Sequence, residues 1–231
     1  MAITMYDLAG TETDRRFSPF CWRTRMALAH KGLEVDTVPW RFTEKHKLPA
    51  PNGGRVPVIV DGTKVVHDSS AIADYLEEQY SDRPELFPGA AARGLSKFVQ
   101  NWTETVLQAW LVRFLLLDIW KHIGPDDQAY FRESREARFG ATLEDVVKDR
   151  ESLLPGFRAS LDPLRRTVER QPYICGDAPA YADYIVLGAF QWARATSDFT
   201  LVTEDDPIHA WRGRLLDLYG GLARQAPGYG G

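Results

Sequence analysis

Three short stretches place polar or nucleophilic residues where a helix or strand begins. "RRFSPFCWRTRMAL" (15–28) has Ser18, Pro19 and Cys21, "RVPVIVDG" (55–62) has Val56-Pro57, and "HDSSAIADYLEEQY" (67–80) has Asp68-Ser69. A Ser before a Pro fits a helix N-cap with Pro at the first helical position. The same geometry places a hydroxyl where backbone N–H groups and the positive end of the helix dipole converge. A thiol brought there has its thiolate stabilised, and protein thiols at helix N-termini fall from about 8.5 to between roughly 3.5 and 7.5. Ser18 is therefore a helix cap, a hydrogen-bond donor to the thiolate of a ligand, or both. A serine-hydrolase role is excluded because no G-x-S-x-G elbow is present.

Cys21 is open to two readings, a redox thiol or a small buried hydrophobe. The position three residues before it is Ser18, so it has no partner for an intramolecular disulfide cycle, which favours the structural role. Val56-Pro57 reads as a rigid, edge or cis turn. It also leaves the Val56 backbone free to pair with a bound peptide as an added strand would. Asp68 and Ser69 form an N-cap pair that would equally suit an α-amino acid head group, Asp68 taking the ammonium and Ser69 with the helix N–H groups the carboxylate. The segment 41–55 carries Arg41, Lys45, Lys47 and Arg55 against a single Glu44. It is a solvated loop or a counter-charge for a ligand's far carboxylate. Together these features outline a slot for a γ-glutamyl tripeptide with a thiol in its middle.

The elements that must position these residues follow from periodicity. A strand at 3–8, a helix at about 18–31 closed by Gly32, and a strand at 34–40 form a β-α-β unit. Two β-branched runs, 56–62 and 64–68, flank Asp61-Gly62, a hairpin signal, and precede a helix at 69–80 with Ile72, Leu76 and Tyr80 on one face. This is the order of a thioredoxin-like α/β domain with a mixed four-stranded sheet. "SDRPELFPGAA" (81–91) reads as a linker. Beyond it lies an all-α domain, with helices expected at about 93–122 (roughly 45 Å long), 127–148, 150–170, 181–196 and 205–223. The division is thus 1–82 and 92–231.

Composition narrows the function classes. A net charge of −4 and the lack of a basic, aromatic-interleaved stripe argue against nucleic acid. The two cysteines, 154 positions apart, and five scattered histidines offer no metal-ligand spacing. The most apolar stretch, "AWLVRFLLLDIW", is broken by Arg113 and Asp118 and is too short to span a bilayer. No signal-peptide layout is present, and the expectation is a cytoplasmic protein without metal or membrane partner.

The three N-terminal segments, in order and at suitable spacing, resemble the glutathione-binding segments of the glutathione S-transferase superfamily. "GDAPAYADYIVLGAF" (176–190) is similar to its G-D-x-x-[ST]-x-A-D helix start, with Ala180 where a capping Ser or Thr is usual. Asp183 can still accept from the Ala180 N–H, which leaves half a capping box. The resemblance implies glutathione as co-substrate, a homodimer, and a hydrophobic small-molecule substrate. It implies that Ser18 faces the glutathione sulfur, that Val56 pairs with the cysteinyl backbone beside a cis Pro57, and that Asp68 and Ser69 hold the γ-glutamyl end. Lys45, His46, Lys47 and Arg55 are its candidates for the glycine carboxylate. A serine at position 18 argues against the members that carry a cysteine there. "SPFCWRTRMALAHKG", "DTVPWRFTE", "RVPVIVDG" and "TEDDP" are further similar to the bacterial glutathione-dependent β-etherases and their fungal etherase-like relatives. The apolar substrate is expected against the helix at 93–122, with Trp110 and Phe114 as pocket walls in a stripe otherwise reading as core. Two alternatives stand beside this one, a thiol oxidoreductase working through Cys21 and a non-catalytic carrier of hydrophobic ligands.

Overall fold

The computed structural model describes residues 2–49 and 52–230, so Ala50 and Pro51 of the basic loop lie outside the described residues. Strand β1 (Ile3–Leu8) leads through helix α1 (Pro19–His30) to strand β2 (Val35–Trp40). After a 3-10 turn at Lys45–Lys47 come β3 (Val58–Asp61), β4 (Lys64–His67) and helix α2 (Ser69–Gln79). The strand order is β2-β1-β3-β4; β2 runs parallel to β1, while β3 is antiparallel to both β1 and β4. The expected mixed four-stranded sheet is therefore present. Asp61 pairs with Lys64, so the hairpin loop is Gly62-Thr63, with Gly62 at φ 58° as a two-residue turn of type II′ requires.

The remainder is helical: α3 (Gly89–Trp102), a π-helical turn (Thr103–Leu107), α4 (Gln108–His122), α5 (Pro125–Phe139), α6 (Leu143–Val147), α7 (Arg150–Ser160), α8 (Asp162–Val168), α9 (Tyr181–Thr196) and α10 (Pro207–Leu216). The long helix thus starts at Gly89, inside the expected linker. Its middle is widened by one π turn, a feature frequent near functional sites. Three expected helices end early. Gly140, at φ 64°, terminates α5, and Thr142 caps α6 by accepting from Asp145 N at 3.1 Å. Pro163 has no N–H to continue α7, so the chain restarts as α8. Tyr219 and Gly220 adopt left-handed conformations after α10.

Helices α1 and α9 pack along one another and join the two halves. Gly188 makes this possible, since a Cβ there would lie 2.3 Å from the carbonyl oxygen of Pro19. Trp22, Met26 and Leu28 from α1, with Ile59, Ile72 and Leu76, merge with Leu111, Phe114, Tyr184 and Trp211 in one continuous core. Each such side chain contributes roughly 1.5–3 kcal/mol on burial. No helix among the described residues is long and apolar enough to cross a membrane.

Candidate functional site at the strand ends

The register of the sheet gathers the sequence candidates at one end. Leu8, the last residue of β1, lies opposite Trp40, so the basic loop that follows β2 leaves from that end. Phe17 N–H donates to the Leu8 carbonyl at 3.3 Å, which holds Ser18 there too. Because β3 is antiparallel to β1 and Tyr6 opposes Val58, Val56-Pro57 enters from the same end. Val58 opposes His67, and the chain then exits through Asp68-Ser69. Read across the sheet from β2 to β4, the order is basic loop, Ser18, Val56-Pro57, Asp68-Ser69.

Ser18 caps α1, its Oγ accepting from Cys21 N at 3.2 Å, with Pro19 at the first helical position. The hydroxyl also lies within hydrogen-bonding reach of the Cys21 thiol, a weak acceptor, so its proton can turn to a stronger one. Cys21 is fully buried one turn further on, and burial, with Asp7 adding repulsion, pushes its thiol well above the ordinary range. Inert packing is the result. Asp7 itself is fully buried, with Arg25 and Arg16 at 3.5 and 3.7 Å, and desolvation raises its pKa.

The Val56-Pro57 bond is cis, with Pro57 buried and Val56 half-buried. Asp68 adopts φ 73°, ψ 128°, a conformation non-glycine residues rarely hold unless the surroundings enforce it. Its Oδ1 accepts from Ser70 N at 2.9 Å and Ala71 N at 3.1 Å, while the carboxylate as a whole stays exposed. Ser69 is 2 % exposed, and its hydroxyl has no hydrogen-bond partner among the described residues. A buried hydroxyl left so costs about 1–3 kcal/mol. That cost disappears when an acceptor arrives.

In the basic loop, Lys47 is paired with Glu44 at 2.6 Å and the Lys45 ammonium stands 4.9 Å over the Tyr130 ring. His46 and Arg55 are exposed, and Arg55 has no ion-pair partner among the described residues. The loop's first residues are tied to the helical half by Asp127, which no spacing in the sequence singles out. An acid in the first turn of a helix is a common dipole partner, and this one serves a segment 84 residues away. Phe114 is fully buried, enclosed by Phe157, Phe199 and Trp110 with ring centroids 5.4, 5.5 and 6.4 Å away. Trp110 is half-buried.

Comparison with known proteins gives the family and the fold. Residues 94–214 match the family model described as glutathione S-transferase, C-terminal domain, and residues 17–79 match the corresponding N-terminal domain. Glutathione S-transferase U26 of Arabidopsis thaliana is 25% identical over 211 residues, covering 87% of this chain and 81% of that protein. Glutathione transferase GSTFuA3 of Phanerochaete chrysosporium superposes with a TM-score of 0.81 at 24% identity, over 93% of this chain and 96% of the other. A glutathione S-transferase of Ceriporiopsis subvermispora, solved in complex with glutathione, superposes with a TM-score of 0.76 at 22% identity, over 95% and 96% of the two chains.

Proposed function

Since the chain belongs to the glutathione S-transferase family, we propose that it binds glutathione across the strand ends and directs the thiolate onto an apolar, aromatic electrophile. The tripeptide fits in length and order. Three strand spacings of about 4.8 Å span roughly 14 Å, and an extended γ-linked tripeptide at about 3.5 Å per residue, with the longer γ-linkage, reaches a similar span. The γ-glutamyl ammonium meets the Asp68 carboxylate, and its carboxylate meets the Ser69 hydroxyl. The cysteinyl backbone pairs with Val56, and Pro57 holds that turn. The glycine carboxylate falls to the basic loop, where Lys45 and Lys47 already have partners and Arg55 has none.

The observation that carries this reading is Ser18, whose oxygen caps the helix and whose proton faces no stronger acceptor than the Cys21 thiol among the described residues. The Ser18 O–H donates to the thiolate sulfur, and the α1 dipole adds to the stabilisation. Lowering the thiol pKa and holding the electrophile against the sulfur carry the acceleration. The apolar partner packs beside Trp110. In the etherase-type reaction the sulfur attacks the carbon bearing an aryl ether next to a ketone. The S–C bond forms, the C–O bond breaks, and the phenoxide leaves and takes up a proton.

The test incubates the protein and glutathione with a β-aryl-ether ketone and, separately, a generic aryl halide. Phenol release supports ether cleavage. Conjugation of the halide without phenol release removes that subclass and leaves the transferase. Cys21→Ala is expected to retain turnover to within about threefold; loss of activity there, with Ser18→Ala active, would establish a thiol oxidoreductase instead.

A further inference from the structure

The glycine-end loop is shaped by two local turns, Arg41 N and Lys47 Nζ donating to the Glu44 carboxylate and Gly54 N and Arg55 N to Asn52 Oδ1, and it is also held from outside. Its backbone is anchored by the helical domain through Asp127, in the first turn of α5. Asp127 is 2 % exposed and leaves its own helix uncapped. Its Oδ1 accepts from Thr43 N at 2.9 Å and Thr43 Oγ1 at 2.8 Å, and its Oδ2 from Phe42 N at 3.3 Å. These donors lie immediately after β2 and two residues before Lys45. A second contact reinforces the first. The Phe42 ring is surrounded by Phe17, Tyr130 and Phe131, with centroids 6.2, 6.3 and 5.7 Å away. Asp127, Tyr130 and Phe131 follow one another at i, i+3 and i+4, so a single face of α5 receives the loop. Tyr130 also lies beneath the Lys45 ammonium. Phe17 is the neighbour of Ser18, so the same aromatic cluster touches the start of α1.

We propose that Asp127 is a positioning residue for glutathione: by fixing Phe42-Thr43 it presents the basic loop to the glycine carboxylate, so tripeptide affinity is set from the helical domain. This rests on the glutathione reading above. An anchored loop meets the carboxylate without first losing its conformational freedom, and an unanchored one must be ordered by the ligand. The effect belongs to ground-state binding of the tripeptide's far end and not to the sulfur.

Steady-state kinetics on the full chain, with glutathione and with γ-glutamylcysteine as thiol donors, tests it. Asp127→Ala is expected to raise the glutathione KM about tenfold, while kcat and the electrophile KM stay within about twofold. γ-Glutamylcysteine, which lacks the glycine, should be used equally well by wild type and variant. Thr43→Val, which removes one of the three bonds, should show a smaller rise of the same kind. An unchanged glutathione KM in Asp127→Ala overturns the proposal, as does an equal loss with both thiols, which would mark a purely structural role. Should Asp127→Ala fail to fold, Asp127→Asn and Thr43→Val carry the test by the same criteria. Absence of any glutathione binding by the wild type overturns the function itself, a different outcome from wild-type binding that Asp127→Ala leaves unaltered.

Discussion

Helices α1 and α9 pack against one another through Gly188, yet their first turns are finished in opposite ways. At the start of α9 the N-cap is Ala180, which has no side-chain acceptor, and Asp183 takes over. Its Oδ2 accepts from Ala180 N at 3.1 Å, and its Oδ1 accepts from Ile174 N at 2.8 Å and Trp211 Nε1 at 2.9 Å. The carboxylate is fully buried, and burial raises its pKa despite these three bonds. At the start of α1 the cap is a neutral hydroxyl that satisfies one N–H and retains a proton to give. One helix start is closed inside the protein and serves the fold. The other is satisfied by a group that still has a hydrogen bond to make, which is what a thiolate site needs.

The largest expected effects would test this contrast directly, by swapping stability against activity. Asp183→Ala leaves two buried donors and the half-buried Ile174 N–H without a partner, each buried one costing about 1–3 kcal/mol. That total approaches the stability of a whole domain, about 5–15 kcal/mol, so urea denaturation should show a destabilised or non-cooperative protein. Ser18→Ala removes one cap, about 1 kcal/mol. Its kcat/KM should nevertheless fall about 10²–10³-fold, the range found for loss of one donor to developing charge. If Ser18→Ala were to unfold the chain as readily as Asp183→Ala, the two starts would not differ in kind.

These starts and that of α2 were legible from residue type alone, because Ser-Pro, Asp-Ser and Asp three residues after an N-cap act locally. The sheet was equally legible, since β-branched runs and the glycine of Asp61-Gly62 mark its hairpin without help from the rest of the chain, although the turn itself is Gly62-Thr63. The features that residue type does not reveal depend on distant partners or on small local breaks. Phe114 and Trp110 share a helical stripe, and only the arrival of Phe157 and Phe199 decides which of them is enclosed. Asp127 looks like any acidic first-turn residue until the loop after β2 is brought to it. Gly140 and Pro163 each break a helix locally, the first by a left-handed turn and the second by a missing N–H, inside spans expected as single helices.

A smaller effect separates ligand contact from fold at α2. Ser69 has a buried hydroxyl with no partner among the described residues, so Ser69→Ala removes an unsatisfied group and should leave the melting temperature unchanged or slightly higher. The glutathione KM should rise about tenfold if that hydroxyl takes the γ-glutamyl carboxylate. Isothermal titration with glutathione reads this directly. A loss of stability without a change in affinity would place Ser69 with Asp183, as a residue of the fold.

The smallest expected effect lies at Ala180. Placing Ser there supplies the acceptor that the α9 start lacks, worth about 0.5–2 kcal/mol at an open N-cap. At this position the gain is cut on two sides. Ala180 is 1 % exposed, so the new hydroxyl must be desolvated. The first-turn donors are also largely engaged, Tyr181 N with the Leu86 carbonyl at 3.0 Å and Asp183 N with the Ala180 carbonyl at 3.0 Å. A hydroxyl that competes for Asp183 N exchanges one hydrogen bond for another. The net gain should therefore stay below about 1 kcal/mol, a rise in Tm of no more than about 2–4 °C for a chain of this size, with glutathione kinetics unchanged. A larger rise would mean that the α9 start had kept an unmet donor, and it would then differ from α1 only in where it faces.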